Sequence, residues 1–176
     1  MSKEETKNLS QLDGILKLAD KYEEIEQHTL ANGELIEYYP YFSATKINEI
    51  TEEFYNYSNS EDKTDKKFMD TVLENDFNLV MFYYFLAVKK FTHYGEQMKR
   101  IKKVKSLVPY YNALLETGIL QEIVDDVFLF EELMKLNEMI GKHLGRTNAA
   151  LEIMTAQSEE LEKRRQDFQK TLNSKK

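Results

Sequence analysis

The sequence has no cysteine, no tryptophan, two prolines and six scattered glycines in 176 residues. Without cysteine there is no disulfide framework, no thiolate metal site and no cysteine nucleophile, a usage that fits a reducing cytosol. Isolated glycines leave no Gly-rich loop to cradle a phosphate. The longest apolar run, Leu79 to Val88, is ten residues. That is half of the roughly 20 needed to span a bilayer, so it reads as a buried helix. The opening Met-Ser-Lys-Glu-Glu-Thr-Lys-Asn has no apolar core behind it, which argues against a secretory leader.

The three histidines, His28, His93 and His143, sit in different segments with no Glu-x-x-His or His-Glu-x-x-His spacing. The chain therefore gives no reason to expect a metal or another cofactor. No nucleophile elbow is present. Acidic pairs such as Glu52/Glu53 and Asp125/Asp126 fall in amphipathic segments, where a solvated face accounts for them. The expectation is a protein that is not an enzyme; a site assembled from scattered acids is the weakest of the readings kept.

What the chain does have is apolar and aromatic substance: 41% hydrophobic residues, eleven tyrosines and ten phenylalanines. That is enough for a folded domain. Its net charge of −7 is lopsided: residues 1–64 hold 6 Lys/Arg against 14 Asp/Glu, and residues 65–176 hold 18 against 17. Overall acidity disfavours nucleic acid as a partner, because phosphate binding needs a positive field.

Apolar positions from Ser10 to Glu23 recur at helical spacing. Ile25–Leu30 and Glu34–Tyr39 read as a β-hairpin across Asn32-Gly33, where residues with φ > 0 are expected. Pro40 ends the second strand. Ser43 is a candidate N-cap for a helix carrying Ile47, Ile50, Phe54 and Tyr57 on one face. Ser58–Asp65 reads as a polar linker. Short helices follow: one to Asn75, one through the apolar run to Gly95, a basic one over 96–106, then one from Pro109 to Thr117 closed by Gly118. A last one covers Ile119–Phe128. From Glu131 the tail reads as one long or once-broken helix, with Gly141 and Gly145 as its weak points. Ile140, Leu144, Thr147, Leu151, Met154, Ser158, Leu161, Arg165, Phe168 and Leu172 form a seam too polar for a good zipper. The fold class is thus mainly α, with a small N-terminal hairpin. Residues 1–24 form an acidic segment with a short helix, 25–140 the hairpin and helical core, and 141–176 an extended C-terminal helix.

The stretch 89–105 carries seven Lys/Arg and one Glu among Phe91, Tyr94, Ile101 and Val104. A single-strand binder uses this mixture, but a basic helix face meeting acidic helices of the same protein or a partner is the plainer reading. The aromatic run Tyr38, Tyr39, Tyr41 and Phe42 is the candidate partner-binding surface, with a core role as its alternative.

The run Leu30-x-Asn-Gly-x-x-Ile-x-Tyr-Tyr-Pro-Tyr-Phe, followed by Lys46-Ile-Asn-Glu-Ile and by Leu-Leu-Glu-Thr-Gly-Ile-Leu-Gln-Glu-Ile-Val-Asp-Asp-Val-Phe at 114–128, resembles the tail assembly chaperones of long-tailed phages and prophages of Gram-positive hosts. The resemblance covers about residues 25–140. It implies a small helical, non-enzymatic protein of the host cytoplasm, absent from the mature virion. It further implies binding to the tape-measure protein and tail-tube subunits, with no nucleic acid and no membrane. Homo-oligomer formation stays open, and so does a longer frameshifted form, for which Ser174-Lys175-Lys176 is a weak hint. The alternative is a cytosolic helical regulator or adaptor of a bacterium or mobile element.

Overall fold

A computed structural model of the protein describes residues 12–145. The chain divides into two units, Met1–Leu136 and Asn137–Lys176. The first is mainly helical with one antiparallel hairpin. In the second, residues 137–145 are helical, and Lys142 donates to Glu138 one turn earlier. The heptad-like seam beyond Gly145, the Ser174–Lys176 end and the first residues of the chain lie outside the described residues.

Helix α1 (Leu12–Ala19) runs into a 3₁₀ turn (Asp20–Glu23), as the helical spacing of the sequence predicts. Strands β1 (Glu26–Thr29) and β2 (Leu35–Tyr38) pair in the register Glu26↔Tyr38 to Thr29↔Leu35. Their loop is Ala31-Asn32-Gly33: the Gly33 N–H donates to the Leu30 carbonyl at 2.8 Å, and the Leu30 N–H to that of Glu34 at 2.9 Å. Within the loop only Gly33 has positive φ (85°), not Asn32 as well, as the sequence suggested. Asn32 contributes its side chain instead, whose Oδ1 accepts from the Glu34 N–H at 2.9 Å. A three-residue loop needs one left-handed residue at its end, whereas the type I′ two-residue turn that Asn-Gly favours needs two.

Helix α2 (Ala44–Ser58) is capped by Ser43, whose Oγ accepts from the Lys46 N–H at 3.2 Å. It buries the expected Ile47, Ile50, Phe54 and Tyr57. Helix α3 (Lys63–Leu73) begins inside the expected linker, capped by Asp62. Asp65 is 2% exposed. Its carboxylate accepts from the Lys105 N–H at 2.8 Å and from Ser60 Oγ at 3.0 Å. Lys105 is the second residue of α6 (Val104–Glu116), a helix with no side-chain cap of its own. Asp65 thus caps α6 from another element, where an anion suits the open N–H groups of a helix start. This explains two departures from the sequence reading. The linker is shorter because Asp65 is an anchor, and α6 starts at Val104, leaving Pro109 inside the helix. There it forfeits the bond its N–H would have made to the Lys105 carbonyl, and its ring crowds that carbonyl.

Helix α4 (Asp76–Phe91) takes Asn75 as its cap and forms the centre, burying eight of its sixteen residues. It ends at Thr92, and α5 (Tyr94–Met98) follows. The basic stretch is therefore not one helix: residues 101–103 break it before α6. Helix α7 (Ile119–Glu122) continues into a π-turn (Ile123–Val127), in which the Phe128 N–H donates to the Ile123 carbonyl at 2.9 Å. Residues 130–136 are helical and complete the first unit. Its core is aromatic. Phe54 stacks on Tyr83 at 4.4 Å, and Tyr111 meets Phe82 and Phe85 edge-on at 5.5 and 5.3 Å. Offset and edge-on pairs of this kind add to the burial of the rings.

Candidate partner-binding surface

The four aromatic positions singled out in the sequence divide. Phe42 is fully buried, its ring stacked on Phe91 at 3.8 Å and edge-on to Phe128 at 4.9 Å. Its backbone is clamped as well: Glu132 accepts from its N–H at 3.0 Å, and the Lys135 ammonium donates to its carbonyl. Phe42 is therefore core and not a partner anchor. The reason is Pro40, which ends the strand and turns the chain inward, where the next apolar ring meets the end of α4.

The three tyrosines stay half-buried at the surface. Tyr38 donates its hydroxyl to Glu26 at 2.9 Å. Burial, then that hydrogen bond and the carboxylate's charge, push its pKa up to about 12. The Lys46 ammonium lies 3.5 Å from the centre of the Tyr39 ring, and that of Lys21 lies 5.1 Å from that of Tyr41. Such cation–π contacts hold the rings in fixed orientations. Tyr38 and Tyr39 form one wall of a cleft of about 700 Å³ between the hairpin, α2, the end of α4 and α5.

The backbone of residues 91–93 closes the free edge of β2. Tyr39 N–H donates to Phe91 and His93 N–H to Glu37, both at 2.9 Å, while His93 Nδ1 accepts from the Glu37 N–H at 3.2 Å. Across the cleft, Lys89 pairs with Glu53 and Lys90 with Glu49. Farther along, Lys103 and Lys105 both reach Asp62, at 3.4 and 2.7 Å. These lysines of the 89–105 stretch are therefore spent on acids of α2 and the start of α3; of the two pairings the sequence left open, with the protein's own acids or with a partner's, they make the first. Among the described residues, no group of three or more His, Cys, Asp or Glu is placed to hold a metal ion, and no helix is long and apolar enough to cross a membrane.

The apolar surface lies elsewhere. α1 has no buried residue: Leu12, Ile15, Leu16 and Leu18 are 72, 51, 60 and 73% exposed. Leu73, Phe77 and Val80 form a second exposed group where α3 meets α4, and Leu129, Phe130 and Met134 a third. The α1 stripe was legible as helical periodicity. Its exposure was not, because periodicity says which residues share a face and not whether another element covers it.

The sequence profile of one family, YomO, matches residues 12–176. The chain belongs to the YomO family. YomO is a family of phage or prophage type, so the prophage half of the resemblance stands. The match takes in α1, the hairpin and the whole helical body. No curated protein and no solved structure matches the chain.

Proposed function

We infer that this protein is a non-catalytic binding protein encoded by a prophage, and that it serves as a tail assembly chaperone. In that role it holds an apolar helical segment of the tape-measure protein and engages tail-tube subunits in the host cytoplasm until the tail is built. The observation that carries this reading is the grouping of exposed apolar side chains on α1, at the α3–α4 corner and around residues 129–134, outside a closed core. Single exposed leucines are ordinary on a protein surface, but contiguous groups are what partner surfaces carry. More than one such group suits a protein that must hold one partner while meeting another. The YomO match and the tail-chaperone resemblance of 30–50 and 114–128 support the reading. The pairing of the basic stretch with the protein's own acids supports a protein partner over nucleic acid.

Co-expression with the product of a neighbouring tape-measure-like gene tests it. That product should be poorly soluble alone, soluble with this chain, and recovered in complex by pull-down, since covering an apolar patch removes the route to aggregation. No rescue and no complex, with this chain folded, rejects the chaperone role and promotes the helical regulator or adaptor.

A further inference from the structure

The stripe on α1 is wider than an accident of composition. Leu12, Ile15, Leu16 and Ala19 follow the i, i+3, i+4, i+7 pattern and Leu18 extends it, the kind of face that ordinarily holds a surface helix on its own domain. Here it is turned outward, although the end of the helix is fastened. The ammonium groups of Lys21 and Lys135 lie 5.1 and 5.0 Å from the centre of the Tyr22 ring. Lys21 also faces Tyr41, and Lys46 lies 3.9 Å from Glu23. The 3₁₀ turn is thus pinned to the body while the stripe before it is presented.

We propose that α1 docks against an amphipathic helix of another protein whose apolar stripe is flanked by lysine or arginine. This deepens the partner-binding reading and rests on it. Charge selects the occupant: residues 12–26 hold five carboxylates against two lysines. With Lys46, Lys135 and the latter's partner Glu132, which reach the turn from the body, carboxylates still lead six to four. Asp20 and Glu24 are exposed just past the helix end. The carbonyl end of a helix is itself negative, so cations are favoured there twice over. A second copy would bring like charges together. Two helices of about 12 Å also fall far short of the roughly 1,200 Å² a stable dimer buries. A bilayer surface suits helices with a basic polar face, and this one has an acidic surround. A short contact of this size is weak and reversible, which a protein that must later release its client requires.

The test uses the full-length chain and two fluorescent helical peptides of about 18 residues, five turns. Both share one leucine stripe, flanked by lysine in one and by glutamate in the other. The lysine peptide should bind in the tens of micromolar at low salt and the glutamate peptide at least about tenfold more weakly. The gap should close as salt rises past ~0.15 M, where screening acts within about 8 Å. Leu16→Glu should weaken the lysine peptide about tenfold, the loss of one leucine contact, and leave thermal unfolding unchanged. Asp20→Lys with Glu24→Lys should erase the preference while keeping the fold.

Equal binding of both peptides, binding of neither, or binding that survives Leu16→Glu overturns the proposal. Dimerisation abolished by Leu16→Glu would make a second copy the occupant, and vesicle binding lost in the same variant would make it a lipid surface; either overturns it. So does strong amide-exchange protection of α1 in the free monomer, which would place the chain's own residues over the stripe. None of these outcomes depends on whether the client is a tail protein. Co-expression decides that separately.

Discussion

α1 packs Leu12, Ile15, Leu16 and Leu18 into eight residues and buries none of them, whereas α4 carries a run of apolar residues and buries Met81 through Tyr83, Phe85 through Val88, and Phe91. The two helices differ less in apolar content than in how it is arranged. α4 is apolar around most of its circumference, so it is stable only with neighbours on several sides. It has them in α2, α3, α5, α7 and the π-turn. α1 is apolar on one side only, and one neighbour would satisfy it. A helix with a single unmet face is therefore a natural place for a partner, whereas α4, although its first turns leave Phe77 and Val80 exposed, spends the rest of its apolar surface inside the protein, where stability resides.

Substitutions should break this comparison cleanly. Phe85 is fully buried and edge-on to Tyr111. Phe85→Ala should cost about 3–5 kcal/mol, lost transfer energy plus an unfilled cavity. Leu16→Ala should stay within about 0.5 kcal/mol, as surface changes do, and alanine suits a helix. Guanidinium unfolding of both variants measures the contrast. A large loss at Leu16 would mean that α1 is covered in the isolated chain.

A smaller effect should appear where α3 meets α6. Asp65→Ala removes the buried cap of the Lys105 N–H and should cost about 1–3 kcal/mol, the penalty for an unpaired buried donor. Asp62, half-buried beside the same helix, should matter less, because solvent screens its pairs with the exposed Lys103 and Lys105. Its carboxyl is held well below the usual range by the Lys105 hydrogen bond first and then by the Thr64 N–H. A depressed folded-state pKa stabilises above the unfolded value near 4 and ceases to do so as pH falls through the folded one. Acid titration of unfolding in the parent and in Asp62→Asn should diverge at neutral pH and converge on acidification.

Much of this was readable beforehand where the signal is local. The hairpin, the Ser43 cap, the buried face of α2 and the close of α6 at Gly118 each follow from residues within a turn of one another. The sequence reading failed where a partner lies far along the chain. Asp65 reads as linker because the N–H it caps is 40 residues away. Pro109 reads as a helix start because that remote cap, which starts α6 five residues earlier, has no local signature. Phe42 and Tyr41 are indistinguishable as letters, but the turn after Pro40 sends one ring into the core and leaves the other beside Lys21. The basic stretch was legible as charge pattern, since α2 supplied the acids it needed.

The hairpin between the two regions gives the next test. Gly33 sits at φ 85° with open space around it, so only backbone strain opposes a side chain there. Gly33→Val should cost about 1–2 kcal/mol, because a β-branched residue resists the left-handed region. Thermal unfolding should register this as a clearly lower midpoint. An unchanged midpoint would mean that the loop adopts another turn at little cost.

The smallest effect should run the other way, and it sharpens the comparison from the α4 side. The Tyr83 ring is buried against Phe54 at 4.4 Å, while its hydroxyl has no hydrogen-bond partner among the described residues. Burial alone pushes its pKa upward. A hydroxyl taken from water without a partner opposes folding, and phenylalanine keeps the ring contact while removing it. Tyr83→Phe should therefore stabilise the protein by about 1 kcal/mol, whereas hydroxyls on α1, where nothing is desolvated, should be neutral at any position. If Tyr83→Phe instead destabilises by more than about 0.5 kcal/mol, the hydroxyl is bonded to an ordered water. The core around α4 would then be less dry than its packing indicates.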